Sequence, residues 1–92
     1  MTTKELLEEN EIEDGVLYFN EPEFPDSIIG TTFDTPARVV YDYDKMVEEY
    51  MKKFDATAED AADFICYNCE RTAEYMGDKA PIIVYPLRFR GD

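Results

Sequence analysis

The chain has 92 residues, of which 22 are Asp or Glu and nine are Lys or Arg, so its formal net charge is −13. So much acid excludes a direct binder of nucleic acid and disfavours anionic membranes, because both are negatively charged themselves. Since 45% of the residues are hydrophobic and 14% aromatic, the chain can form a core, and we predict a single domain over residues 1–92.

The first predicted element is a short acidic helix from Thr3 to Asn10, which ends before a turn at Asp14-Gly15. Residues 1–14 are expected to form an acidic arm that docks loosely, because so short a helix is marginal by itself. This arm has neither a basic start nor an apolar run, so no signal peptide is predicted and a cytoplasmic location is expected.

Three β-strands are predicted next, since short runs of apolar and β-branched residues are separated by turn residues. The second and third strands are close enough in sequence to form a hairpin, and Gly30 marks either a bulge or a point of close backbone approach in the second. Between the first two strands, a proline-containing loop is expected to attach to the core through Phe24. The predicted strands are Val16 to Phe19, Ile28 to Phe33 and Arg38 to Tyr41.

Two helices and a last strand follow, because apolar residues first recur every three or four positions and then form a continuous run. Thr57 is the expected N-cap of the second helix, and Gly77 is expected to end it. The first of these two helices ends at Phe54, and the second runs from Ala58 to about Met76. The last strand runs from Ile82 to Tyr85, and residues 86–92 form a short tail.

The resulting order of elements is α-β-β-β-α-α-β, which predicts an α+β fold. In this fold a small three- to four-stranded, mostly antiparallel sheet carries two to three helices on one face. The two-helix excursion before the last strand is long enough to return that strand in either direction.

The phrase Asp42-Tyr43-Asp44 superficially resembles a D-x-D metal motif. Such a site needs further oxygen ligands, and no glycine-rich phosphate loop flanks the phrase. The favoured interpretation is that Asp44, or Asp42 if the helix starts earlier, caps the following helix.

Cys66 and Cys69 form a C-x-x-C pair, but the chain has no histidine and no other cysteine. A zinc site within one chain is therefore excluded, while a site shared across a dimer stays open. The pair also lies in mid-helix, where the helix dipole does not activate a thiol, so we interpret these cysteines as small core residues. No metal and no cofactor is expected.

Catalytic function is disfavoured by the residue types present. Without histidine there is no imidazole base, and no nucleophile elbow or phosphate loop occurs. Arg90-Gly91-Asp92 matches an integrin-ligand tripeptide, which the expected cytoplasmic location argues against. We predict a non-enzyme and assign no catalytic residue.

Three phrases carry a resemblance to a group of small acidic proteins of bacteriophages and other mobile elements: Val40 to Lys45, Glu59 to Ala62 and Gly77 to Ile83. Proteins of that group show V-Y-D-Y-D-K at the end of a hairpin and G-x-x-A-P-I-I in the last strand. Cys66 and Cys69 depart from the pattern. The resemblance implies a protein made inside a bacterial host cell, of the class that blocks host machinery, as anti-CRISPR and other anti-defence proteins do.

Charge and resemblance together favour a non-enzymatic inhibitor that binds the basic surface of a host nucleic-acid-handling or defence protein, as a charge mimic of nucleic acid. The alternative is a small structural or regulatory module, with a homodimer left open, whose acid serves solubility alone. The candidate partner-binding residues are Asp42, Tyr43, Asp44, Glu48 and Glu49.

Overall fold

The computed structural model describes residues 1–13, 15–20 and 22–87; it confirms the α+β class, and the elements that form follow the predicted order. The tail beyond residue 87, with its Arg90-Gly91-Asp92 tripeptide, and Asp14 of the first predicted turn lie outside these residues. The elements are α1 (Thr3–Glu9), a 3-10 turn (Pro25–Ser27), β1 (Ile28–Thr31), β2 (Val39–Asp42), α2 (Tyr43–Phe54), α3 (Ala58–Phe64), a π-helical turn (Ile65–Cys69), α4 (Glu70–Tyr75) and β3 (Ile82–Val84).

The sheet has the order β1-β2-β3 and is mixed. β1 is antiparallel to β2, and the register between them shifts between Ile28 and Gly30, where the sequence predicted a bulge. β3 is parallel to β2, with Val40 opposite Ile82. The sheet is thus less antiparallel than predicted, because the helices between β2 and β3 return the chain to the start of β2.

Residues 16–19, predicted as the first strand, run through the core without forming a strand. Val16 and Phe19 are both buried, which accounts for the apolar pattern. The backbone N–H of Phe19 donates to the Tyr41 hydroxyl at 3.0 Å. A side chain thus takes the place of the neighbouring strand that this segment was expected to have.

The core lies against one face of β2, where Val39 and Tyr41 are fully buried. Alternate residues of a strand point to the same face, so both side chains reach the same cluster. Phe24 enters this cluster from the loop before β1, as predicted, with 1% of its side chain exposed. The largest other fully buried side chains are Met46 of α2 and Ile65 of the π-helical turn.

Helix α1 is attached to this core at two points. Leu7 belongs to the core cluster, and the backbone N–H of Thr3 donates to Glu23 Oε1 at 2.7 Å. Thr2 and Glu5 form a capping box at its start, in which each side chain accepts from the other residue's backbone. The acidic arm therefore packs one face inward and leaves Glu5, Glu8 and Glu9 exposed.

The helix predicted from Ala58 to Met76 is continuous but contains the π-helical turn at its centre. Its start is as expected, because Thr57 Oγ1 accepts from the Asp60 N–H at 3.1 Å. A π turn inserts one extra residue into a helix. Ile65 and Cys69, at the two ends of this turn, are both buried, while Cys66 is exposed.

Candidate protein-binding surface

The structure brings the five candidate residues together at the junction of β2 and α2, but several of them already make contacts within the fold. Asp42 is 9% exposed and is the N-cap of α2, since its Oδ1 accepts from the Lys45 N–H at 3.1 Å. The earlier of the two capping positions considered is therefore the one used. Its carboxylate accepts a hydrogen bond from an otherwise unpaired amide of the first helical turn, and little of its surface is left for contact with a partner.

Tyr43 and Asp44, the next two candidates, are half-buried. The ring of Tyr43 packs on that of Tyr85, with centroids 4.7 Å apart. Burial, followed by the neighbouring Tyr85, raises the pKa of Tyr43. Tyr43 therefore joins α2 to the end of β3 and has a structural contact independent of any partner.

Glu49 is half-buried against the turn that precedes β1. Its Oε1 accepts from the Ser27 hydroxyl at 2.7 Å and its Oε2 from the Asp26 N–H at 3.4 Å. Burial raises the pKa of Glu49, although both hydrogen bonds lower it and nearby Asp26 raises it further. Glu49 thus stabilises a loop contact while bearing a cost for its charge.

We expect Glu49→Gln to stabilise the protein more at neutral than at acid pH. The raised pKa means that the fold favours the protonated carboxyl, so this contribution is present at low pH and is lost as the pH rises through the folded-state value. Thermal unfolding midpoints of both proteins at pH 4 and pH 7 measure the difference. Glu48→Gln removes a charge from an exposed position of the same helix and is the control; an equal benefit from both variants would contradict the effect of burial.

The charge of α2 is balanced along its length. Asp44, Glu48 and Glu49 are matched by three lysines, Lys45, Lys52 and Lys53, all of them exposed. Among the five candidate residues Glu48 is the exposed one. The junction is therefore a weak source of negative potential, and the role of these five residues in binding stays a prediction.

A more strongly acidic surface lies at the tip of the β1–β2 hairpin. We call it the hairpin-tip surface and define it by Glu11, Glu13, Phe33 and Asp34, which line one shallow depression. The two glutamates come from the turn after α1 and the other two residues from the hairpin loop, so the fold joins segments that are about 20 residues apart in sequence. No base occurs among the described residues that line this depression.

Hydrogen bonds hold the two segments of this surface in place. Thr32 N–H donates to the Arg38 carbonyl at 2.8 Å, and Arg38 N–H donates to Thr32 Oγ1 at 2.9 Å, which closes the base of the loop. Glu13 Oε1 accepts from the Ala37 N–H at 3.0 Å and so joins the N-terminal segment to the loop. The tip is thus supported at its base, which favours a defined shape over a freely moving loop.

Phe33 is fully exposed at this tip. Burying a phenylalanine side chain is worth about 2 kcal/mol, a contribution that Phe33 does not make to the fold. Glu11, Glu13 and Asp34 line the same depression, so an exposed aromatic side chain lies beside a negative rim, which is an arrangement typical of protein-binding surfaces.

Sequence reasoning missed this surface for a clear reason. Phe33 was placed at the end of a predicted strand, where it would alternate with its neighbours and be at least half-covered. β1 ends at Thr31, two residues earlier, because the chain turns away from the sheet into the hairpin loop. The available signal was the position of Phe33 directly before Asp34-Thr35-Pro36, a turn sequence in which an apolar side chain has nothing to pack on.

A second acidic surface runs along α3 and α4, where Arg71 is the one base. At 1.5 Å per residue the carboxylates extend over about 20 Å of helix. Tyr67 and Tyr75 are exposed on the same segment, and the Arg71 guanidinium lies 5.8 Å from the centre of the Tyr67 ring. The exposed acids are Glu59, Asp60, Asp63, Glu70 and Glu74.

The described part of the chain also contains side chains of the types that hold metal ions and a buried thiol. No group of three or more His, Cys, Asp or Glu side chains there is placed to hold a metal ion. Burial raises the pKa of Cys69 to about 12, so this thiol stays protonated at physiological pH.

Comparisons with known proteins assign the chain to no family: no family model, no curated protein and no solved structure matches it. None of the helices in the described residues combines the length and the apolar character needed to cross a membrane. Function is therefore argued from the surfaces themselves.

Proposed function

We propose that the protein is a non-enzymatic inhibitor that binds the nucleic-acid-binding surface of a basic protein, with the hairpin-tip surface as the central contact. The observation that carries the proposal is the fully exposed Phe33, which lies beside a rim of three carboxylates in the same depression. An exposed aromatic ring gains most by entering an apolar pocket, and the rim favours a pocket bordered by Lys and Arg.

The pairing of ring and carboxylates resembles the chemistry of a nucleic acid strand. Proteins that hold single strands stack bases on aromatic side chains and contact the phosphates with basic ones. Phe33 offers a flat ring where such a groove takes a base, and Glu11 and Asp34 offer negative charge where it takes phosphates. This supports a target that handles nucleic acid over a target that is merely basic.

The net charge of −13 supports the same proposal at longer range. The acidic surface of α3 and α4 adds five carboxylates to the field that a basic partner meets before contact. Such a field raises association rates and weakens as salt screens it, with a Debye length of about 10 Å at 0.1 M.

The resemblance to small phage proteins supports a bacterial target in the host cytoplasm, and host defence proteins that bind nucleic acid are the class we propose. Anti-CRISPR proteins are analogues of this activity. The analogy concerns size and acidity, and it leaves the identity of the target to experiment.

The test is competition on a captured target. The full chain is immobilised, bacterial lysate freed of nucleic acid is applied at low salt, and bound proteins are released with single-stranded DNA or with polyglutamate of equal charge. We expect a nucleic-acid-binding protein that DNA releases more readily than polyglutamate does. Capture of none at low salt, or equal release by both polymers, contradicts the proposal.

Variants then test the surface with the purified target. Phe33→Ala is expected to weaken binding about 30-fold, as loss of a central aromatic anchor does. Tyr75→Ala, at a highly exposed aromatic elsewhere, is the matched control. Glu11→Gln with Asp34→Asn is compared with Glu48→Gln and Asp55→Asn, which remove equal charge from exposed sites on and after α2. Equal losses in each matched pair would reject the hairpin tip as the contact.

A further inference from the structure

The two edges of the sheet differ in how they are protected. Edge strands expose unpaired backbone groups, and proteins commonly shield them with bulges, charges or covering elements. β1 has the register shift between Ile28 and Gly30. It is also flanked by α1 and the following turn, since Leu6, Asn10 and Ile12 line a groove with β1 residues. The edge at β1 is therefore irregular and partly covered.

Among the residues that the structure describes, β3 at the other edge has no bulge, no charge and no covering element, and its one protection is its length of three residues. Ile82, Ile83 and Val84 carry no charge and pair with β2 without a register shift. Among the described elements, β2 is the one with which β3 makes extensive contact. Pro81 and Pro86 lie just outside the strand and limit its length without blocking its edge.

The sequence around β3 is also free of acid. From Lys79 to Gly91 there is no Asp or Glu, which is the longest such stretch in the chain, and its charged residues are Lys79, Arg88 and Arg90. Two copies that each carry −13 repel one another over most of their surfaces. The edge formed by β3 is where this repulsion is weakest.

Exposed apolar side chains continue from this edge. Tyr85 is 67% exposed and Leu87 is 100% exposed. Tyr85 is held in position by its packing on Tyr43. A strand placed along β3 would cover these side chains together with the unpaired backbone, so that hydrogen bonds and apolar burial act on the same contact.

We propose that two copies of the chain pair through their β3 edges to form one continuous six-stranded sheet. An antiparallel contact between identical strands has two-fold symmetry and closes on itself, which yields a dimer and no filament. The second copy is the occupant to which we commit, because the strand that each protomer presents, Ile82–Val84, carries no charge, whereas most of the remaining surface is acidic.

The test measures self-association by sedimentation equilibrium of the full chain. Dimerisation is expected to strengthen about tenfold from low to high salt, as screening reduces the repulsion of two acidic protomers. This dependence is opposite to that expected for binding a basic target, so each proposal can fail without the other. A monomer at every concentration and salt overturns the dimer.

Substitutions at Val84 locate the contact, because this side chain is half-buried and lies outside the core cluster. Val84→Lys and Val84→Glu are both expected to abolish the dimer, since like charges would face each other across the new strand pair. Val84→Thr keeps the β-branched shape and is expected to retain it. Testing both signs of charge separates the contact from the net charge, and circular dichroism verifies the fold.

Hydrogen exchange gives an independent measurement on the unchanged protein. The backbone amides of residues 82–85 are expected to exchange more slowly at high than at low protein concentration. Protection that appears instead along the groove between α1 and β1, or a dimer that persists in both charged variants, overturns pairing through β3.

Discussion

Replacing Tyr41 with alanine is expected to lower the free energy of unfolding by about 3–5 kcal/mol, a large part of the total for a domain of this size. Tyr41 lies in the central strand, has 0% exposure and packs on Phe19 with ring centroids 4.9 Å apart. Its loss leaves a cavity at the centre of the core. Urea unfolding followed by circular dichroism measures the change.

The hydroxyl of Tyr41 contributes separately and can be tested by Tyr41→Phe. It accepts the Phe19 N–H at 3.0 Å, and burial raises the pKa of Tyr41 well above its ordinary value, so the phenol stays neutral. Leaving the buried N–H unpaired costs about 1–3 kcal/mol. A Tyr41→Phe protein as stable as the parent would show that this hydrogen bond does not hold residues 16–19 in place.

Replacing Phe24 with alanine is expected to cost a similar 3–5 kcal/mol and also to loosen the loop before β1. Phe24 is 1% exposed, and the turn that follows it carries Ser27, whose hydroxyl donates to Glu49 at 2.7 Å. We expect lower stability in urea and faster hydrogen exchange at the backbone amides of Asp26 and Ser27.

Phe24→Leu is the control for this loss, since it keeps an apolar side chain in the core and is expected to cost about 1 kcal/mol. If Phe24→Ala destabilises the protein without changing the exchange of the Asp26 and Ser27 amides, the loop is held by Glu49 and not by the ring. The two contributions can therefore be separated by one pair of variants.

Local signals predicted much of the fold because they act within a few residues. Thr57 was recognised as an N-cap from its own neighbours, and its hydroxyl makes that contact. Asp42 and Asp44 were recognised as alternatives for capping α2, and the structure selects Asp42. Phe24 was expected in the core, since a large apolar side chain among prolines and acids has no other favourable place.

The features that sequence missed depend on distant contacts. An apolar run at residues 16–19 favours a strand, but whether a neighbouring strand accepts it depends on Tyr41, more than 20 residues away. The π-helical turn between Ile65 and Cys69 was not predicted, because a spacing of four residues places two buried side chains on one face of a regular α-helix as well. The hairpin-tip surface combines Glu11 and Glu13 with Phe33 and Asp34, and no local pattern reports that proximity.

The candidate binding residues illustrate the same limit. Asp42 and Glu49 have the charge expected of a partner-binding surface, but each already accepts hydrogen bonds within the chain. A sequence shows that a residue is acidic, but it does not show whether the carboxylate is already hydrogen-bonded within the fold. The acids that remain exposed lie mainly on α1, at the hairpin tip and along α3 and α4.

The parallel pairing of β2 with β3 has a consequence for the order in which the chain folds. β1 and β2 are neighbours in sequence, whereas Val40 and Ile82 are about 40 residues apart. Closing the longer loop costs more chain entropy, and this entropy is lost before the stabilising contacts between the two strands can form. The hairpin and the helices are therefore expected to form first and β3 to join last, so that the proposed pairing of two copies through β3 could begin only after the rest of the domain has formed.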